Sequence, residues 1–220
     1  MSIFGFLLPE VTHSVRSEIR LKRRYDQAAG GWHKGLVRLG YPAAYRRLVS
    51  AAPPASDALV VDIGTGSGLL AETWVDVSGP PQRLLLVDRS QEMLRRASMR
   101  FAARGIEADV VEGAIGSNAL EECSATVLLC AHVLEHLDNP SQGLRWIWSR
   151  MCPGGQLFLA VSRPHWCTAL LRWKWGHRAY SSAEVSALLE AAEFVEIRTV
   201  PFVSGPPSRT SMGYVAKRPH

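Results

Sequence analysis

The 220-residue chain reads as an α/β fold: a seven-stranded sheet, mostly parallel, with an antiparallel C-terminal edge and helices on both faces. Three observations predict it. Short continuous apolar runs recur along the chain, as expected of strands buried on both faces. Segments of helical length separate the first of them. The last two runs have no helix between them, which makes them an antiparallel edge.

The elements follow in order. Residues 11–24, "VTHSVRSEIRLKRR", read as a basic helix, and residues 41–51 as a second helix. "APPAS" (52–56) is a break. "ALVVDI" (58–63) is the first strand, followed by a helix to about Val77. "RLLLVD" (83–88) is the second. After it comes the amphipathic "SQEMLRRASMRFAARG", with Ser90 as N-cap and Gly105 as its stop. "ADVVE" (108–112) and "ATVLLCA" (125–131) are the third and fourth strands, and a helix near 140–151 follows. "GQLFLAV" (155–161) is the fifth, opened by the turn Pro153-Gly154-Gly155. A helix at 181–192 leads to "FVEIRTV" and "MGYVAK". Residues 1–54 read as an N-terminal helical cap and 55–220 as the main domain, with a short lid insertion at about 163–180.

Composition sets outer bounds. Apolar residues are 47% and charged residues 20%, as in an ordinary globular protein. No stretch approaches the ~20 apolar residues of a bilayer-spanning helix. "IFGFLL" is too short for a signal h-region and lacks a positive n-region. Cys123, Cys130, Cys152 and Cys167 form no CxxC pair, which fits reduced thiols in a cytoplasmic protein. A net charge of +5 permits an anionic partner without requiring one.

The chemistry starts at "LVVDIGTGSGLL" (59–70), where three glycines follow a buried strand and open a helix. A P-loop would need Gly-Lys-Ser/Thr here, and there is no lysine. A dinucleotide site needs G-x-G-x-x-G, but the third glycine position is Leu69. The spacing is instead G-x-G-x-G, with Asp62 two residues ahead. A carboxylate there is a poor neighbour for pyrophosphate and a good one for an ammonium or sulfonium group. Asp88 ends the second strand about twenty residues further on, where a carboxylate can hold ribose hydroxyls.

Taken together, "VVDIGTGSG", "LLLVDRSQEML", "VVEGA", "LLCAHVLEHL" and "CPGGQLFLAV" resemble, in order and spacing, the motifs of the class I S-adenosylmethionine-dependent methyltransferases. The resemblance covers roughly residues 55–200 and is nearest to the ubiquinone/menaquinone-type small-molecule branch. It implies a Rossmann-like sheet, S-adenosylmethionine as cofactor and methyl transfer to a small, aromatic or lipophilic, molecule. It places Gly64, Thr65, Gly66 and Gly68 under the methionine part, with Asp62 near the amino group. Asp88 and Arg89 fall at the ribose, Met93, Ala114 and Ile115 at the adenine, and Cys130 at the end of the fourth strand. Ala114 stands where the family usually has an Asp or Asn that bonds the adenine amine. "YDQAAGGW" (25–32) resembles the family's N-terminal segment, which would close Tyr25 over the cofactor and put Trp32 and His33 near the substrate.

"HVLEH" (132–136) matches a zinc-protease pattern, but it directly follows a strand and coincides with a methyltransferase motif, so no metal is expected. His132 falls where the transferring methyl would sit, either as a general base or as a hydrogen-bonded structural residue. "SRPHWCTALLRWKWGHRAY" brings His165 and Trp166, and further Trp173, Trp175 and His177, into a segment that lids the substrate pocket in the family. Two other functions stay open. A nucleic-acid methyltransferase fits pI ≈ 9.3 but not the missing Asn/Asp-Pro-Pro-aromatic motif, so nucleic acid is not the expected partner. A non-catalytic binding protein has Ala114 as its support. Ile3, Phe4, Phe6, Leu7 and Leu8 ahead of Arg16, Arg20, Lys22, Arg23 and Arg24 have the composition of a peripheral membrane anchor. The alternative is that they cap the cofactor site or a homodimer interface.

Overall fold

The computed structural model describes residues 30–53, 55, 57–165 and 178–220. A helix over 30–39 (α1) precedes α2 (Tyr41–Val49). Then come β1 (Leu59–Ile63), α3 (Leu69–Ser78), β2 (Arg83–Asp88), α4 (Gln91–Ala102), β3 (Asp109–Glu112) and β4 (Ala125–Ala131). A 3-10 turn (Leu134–His136), α5 (Pro140–Arg150), β5 (Met151–Ser162), α6 (Ser182–Ala191), β6 (Val195–Pro201), the one-turn helix α7 (Pro207–Thr210) and β7 (Ser211–Lys217) complete the described chain. One sheet runs β3-β2-β1-β4-β5-β7-β6. The first five strands are parallel, and β7 is antiparallel to both β5 and β6. This is the Rossmann-like sheet with an antiparallel C-terminal edge that the sequence predicts.

Alternation along each strand divides the core in two. Val60, Leu84, Leu86 and Leu129 face α2, α3 and α4, where they meet Leu48, Trp74 and Phe101. Val61, Val87, Leu128 and Cys130 point the other way, toward Ile147 of α5 and Leu189 of α6. The period of two explains why these strands are apolar throughout. Each large side chain so buried contributes roughly 1.5–3 kcal/mol.

Ser90 caps α4 as the sequence predicts, and α6 has a cap of its own. Ser90 Oγ accepts from Met93 N at the start of α4, and Ser181 forms a reciprocal capping box with Glu184 at the start of α6. One expectation changes. Pro153-Gly154-Gly155 does not open the fifth strand. β5 begins at Met151, and its pairing to β4 jumps from Ala125↔Met151 to Val127↔Gln156 across that turn. Proline has no N–H for the ladder, so the turn becomes an irregularity inside the strand. Among the described residues, no helix is long and apolar enough to cross a membrane. The N-terminal residues 1–24, Tyr25 and the segment from Trp166 to His177 lie outside the described residues.

Candidate active site at the carboxyl ends of β1, β2 and β4

The three glycines have separate reasons. All take left-handed φ: +67° at Gly64, +51° at Gly66 and +79° at Gly68. A side chain on Gly64 would sit 2.2 Å from Val133 Cγ2, in the loop after β4. One on Gly68 would press on Ala97 and Phe101 of α4 at 3.2 Å. Gly64 and Gly68 therefore serve packing, while Gly66 lines an open cavity beneath Trp32. Thr65 N donates to Val87 O (3.0 Å), which ties the loop to β2.

Asp62 is on the α2/α3 face of β1, 1% exposed. Thr65 Oγ1 donates to its Oδ2 at 2.6 Å. Burial pushes its carboxyl up to about 7; the Thr65 hydrogen bond opposes this and the nearby Asp88 charge adds to it. Asp88, at the end of β2, accepts from Gly66 N (2.7 Å) and Ser90 N (2.9 Å). One carboxylate thus fixes both the glycine loop and the start of α4. Burial raises its pKa as well, against the pull of these amides.

A cavity of about 480 Å³ opens over these groups. Asp62, Gly64, Thr65, Gly66, Asp88 and Arg89 line one end. Ala114 and Ile115, after β3, also line it. Ser117 closes a turn there, accepting from Ala114 N (3.2 Å) and donating to Ala114 O (2.8 Å). Trp32 lines the cavity from α1, and His132 from the loop after β4.

Other sequence candidates lie away from the cavity wall. Gly68 packs on α4. Met93 is buried at the start of α4, and Cys130 faces α5 and α6. His33 lies 4.0 Å from Glu72 of α3, and burial lowers its pKa, with the Arg100 charge adding to this. His165 is half-buried just after β5 and is not part of the wall. Tyr25 and Trp166 lie outside the described residues.

The sequence reading does not single out Tyr41, Tyr45, Glu135 and Ser162, which also line the cavity. The i, i+4 spacing of the two tyrosines puts both on one face of α2. Glu135 is visible only as the acid of "HVLEH". That segment is not a helix: it leaves β4 with His132 at φ +58° and makes a single 3-10 turn. His132 Nδ1 then lies 3.0 Å from Glu135 Oε1 and 3.2 Å from Ser162 Oγ. The Tyr41 ring meets the imidazole edge-on, at 5.5 Å between centroids.

A glycine loop, a buried acid and a half-buried one at the carboxyl ends of parallel strands, over a cavity at the point where strand order reverses, form a ligand site of open α/β sheets. Residues 61–159 match a family model described as a methyltransferase domain. That match, on this strand order, supports a class I methyltransferase domain. It is 29% identical, over 126 residues, to a ubiquinone biosynthesis O-methyltransferase of Xanthomonas axonopodis pv. citri (57% of this chain, 48% of that one). The chain spans about half the length of the curated relatives it matches first. Among solved structures, the methyltransferase partner of the Haloferax volcanii Trm112 methyltransferase activator superposes with a TM-score of 0.72 at 20% identity, covering 89% of this chain and 98% of that one. A Thermotoga maritima SAM-dependent methyltransferase gives 0.70 at 18% identity, covering 90% and 99%. At such identities the structural likeness establishes the fold.

Proposed function

We propose that this methyltransferase moves a methyl group from S-adenosylmethionine to a small molecule carrying an ionisable hydroxyl. The observation that supports it best is Asp62. It is a buried carboxyl on the cavity wall whose strongest neighbouring charge is another acid, Asp88. Such a group needs a cation, and the cofactor's ammonium provides one. Beside the amides of Gly66, Ser90 and Arg89, the Asp88 carboxylate retains lone-pair capacity for ribose hydroxyls. Ala114 and Ile115 offer backbone groups and an apolar edge to the adenine. The residues present therefore fit the cofactor, which when bound supplies an electrophilic methyl on a good, neutral leaving group.

The rest of the site positions the acceptor. Leu36 and Leu39 of α1 and Tyr41 of α2 line the cavity together with His132. They suit a flat, partly apolar molecule whose hydroxyl meets the imidazole. His132 accepts the hydroxyl proton as the oxygen gains its new bond to carbon, and α1 and α2 exclude water. The O-methyltransferase names of the relatives support oxygen as the attacking atom. The membrane-anchor and homodimer readings of the N-terminus remain separate proposals, to be tested by vesicle sedimentation with and without residues 1–24.

Calorimetry with S-adenosylhomocysteine tests the cofactor site. Asp88→Ala should weaken binding at least ~10-fold, or about 1.4 kcal/mol. Unchanged affinity, or binding of NAD instead, defeats the reading. His132→Ala should lower turnover on a panel of phenols by ~10²-fold with cofactor affinity retained. An unchanged rate removes His132 from the chemistry.

A further inference from the structure

Glu135 is 3% exposed, in the 3-10 turn that follows β4. Its Oε1 accepts from Ser162 N at 2.6 Å and lies 3.0 Å from His132 Nδ1. An ionised carboxylate has only lone pairs to offer, so the second contact requires a proton on Nδ1. In a neutral imidazole the other nitrogen, Nε2, then carries the lone pair. Nε2 is buried and has no hydrogen-bond partner among the described residues. Glu135 Oε2 is buried and equally without one.

We propose that Glu135 is a positioning residue: it holds His132 in the Nδ1–H tautomer, so that Nε2 is the atom that takes the acceptor's proton. This rests on the reading of His132 as the base. The acceptor O–H proton moves to Nε2 while the Nδ1 proton stays, and the resulting imidazolium lies against the Glu135 carboxylate. The backbone is shaped for this pairing. His132 N donates to Ala160 O (2.8 Å) and Arg178 N to Glu135 O (3.0 Å), so both residues are tied to neighbouring chain. His132 sits at φ +58°, a conformation that costs a non-glycine residue roughly 1–2 kcal/mol and that only surrounding structure maintains.

Among the described residues, no second anion lies at hydrogen-bond distance from the pair. Tyr41 presents its ring from α2, and Ser162 its hydroxyl and amide from β5. Tyr45, Cys130 and Tyr180 stay protonated: burial raises each, and the Glu135 charge adds to it. Asp62 reaches the same region only through Tyr45 and Cys130. Glu135 itself is held down to about 2: burial opposes this, and the His132 hydrogen bond and charge outweigh it.

Nitrogen-15 NMR of the histidine rings tests the pairing without any methyl acceptor. The full-length chain is titrated with S-adenosylhomocysteine present, and His132→Ala assigns the signal. The wild type should show His132 protonated at Nδ1 and bare at Nε2 in its neutral form. Glu135→Gln, whose amide can donate to Nδ1 as well as accept from it, should admit the Nε2–H tautomer as a second neutral ring form. A wild-type neutral ring carrying its proton on Nε2, or a folded Glu135→Gln in which Nδ1–H stays the sole tautomer, each overturn the proposal. If Glu135→Gln does not fold, the wild-type tautomer decides alone. Failure of the cofactor reading would show in the Asp88→Ala calorimetry and not in this spectrum.

Discussion

Under the proposed function, Asp62 is held in the wrong protonation state for its task until a cation arrives. With its carboxyl raised to about 7, the folded chain keeps the proton between about pH 4 and 7, whereas the unfolded chain has released it. Apo stability therefore falls as pH rises through that window and stays lowest above about 7. Asp62→Asn removes the buried charge and keeps an oxygen for Thr65. It should raise apo stability at pH 8 by roughly 2–4 kcal/mol while abolishing cofactor binding. In the wild type an ammonium must displace the proton, so affinity for S-adenosylhomocysteine should drop as pH falls below about 7. Thermal melts at pH 8 and calorimetry at pH 6 and 8 measure both effects. An Asn variant no more stable than wild type, or an affinity indifferent to pH, would show that Asp62 is already ionised and paired.

The strand–loop–helix element β1–α3 is positioned by contacts with two other elements. Gly64 touches the loop after β4 through Val133, and Gly68 touches α4 through Ala97 and Phe101. Moving the glycine loop therefore moves both the His132 loop and the helix that follows Asp88. Gly64→Ala meets a clash with Val133 and a left-handed φ of +67° at once. It should destabilise the chain by about 2 kcal/mol or more. Measured against Val133→Ala alone, adding Gly64→Ala should cost only about 1 kcal/mol, the backbone share. Urea unfolding of the four chains gives the cycle. Equal costs in both backgrounds would mean that the Val133 contact places no constraint on the loop.

On the scale of the whole molecule, the cavity is bounded by the α1–α2 cap, the glycine loop, the turn after β3 and the loop after β4. A ligand that fills it joins parts of the chain far apart in sequence. Cofactor product present at 100 times its dissociation constant should stabilise the fold by about 2.7 kcal/mol. For a chain of this size that corresponds to a melting shift of roughly 5–10 °C. A scan with S-adenosylhomocysteine reads it directly, and no shift at millimolar concentrations would argue against a formed site.

The sequence by itself determined most of the elements and the resemblance to a family. Short continuous apolar runs of strand length, alternating with helical segments, point to strands covered on both faces, and the G-x-G-x-G spacing after Asp62 marks the loop; both signals are local in the chain. It also located His132, because the end of the fourth strand is a fixed place in this topology. What the sequence could not supply was direction and partnership. Whether Cys130 or Ala131 faces the cavity depends on strand phase against the helices, and Met93 turns inward because α4 packs there. The turn at Pro153 became part of β5 only through the pairing of Met151 and Gln156 with β4 on either side of it. Glu135 and Ser162 are 27 residues apart, and their meeting on the His132 ring is made by the β4–β5 register. Such contacts are decided by tertiary packing, which joins residues whose chain separation carries no local signal.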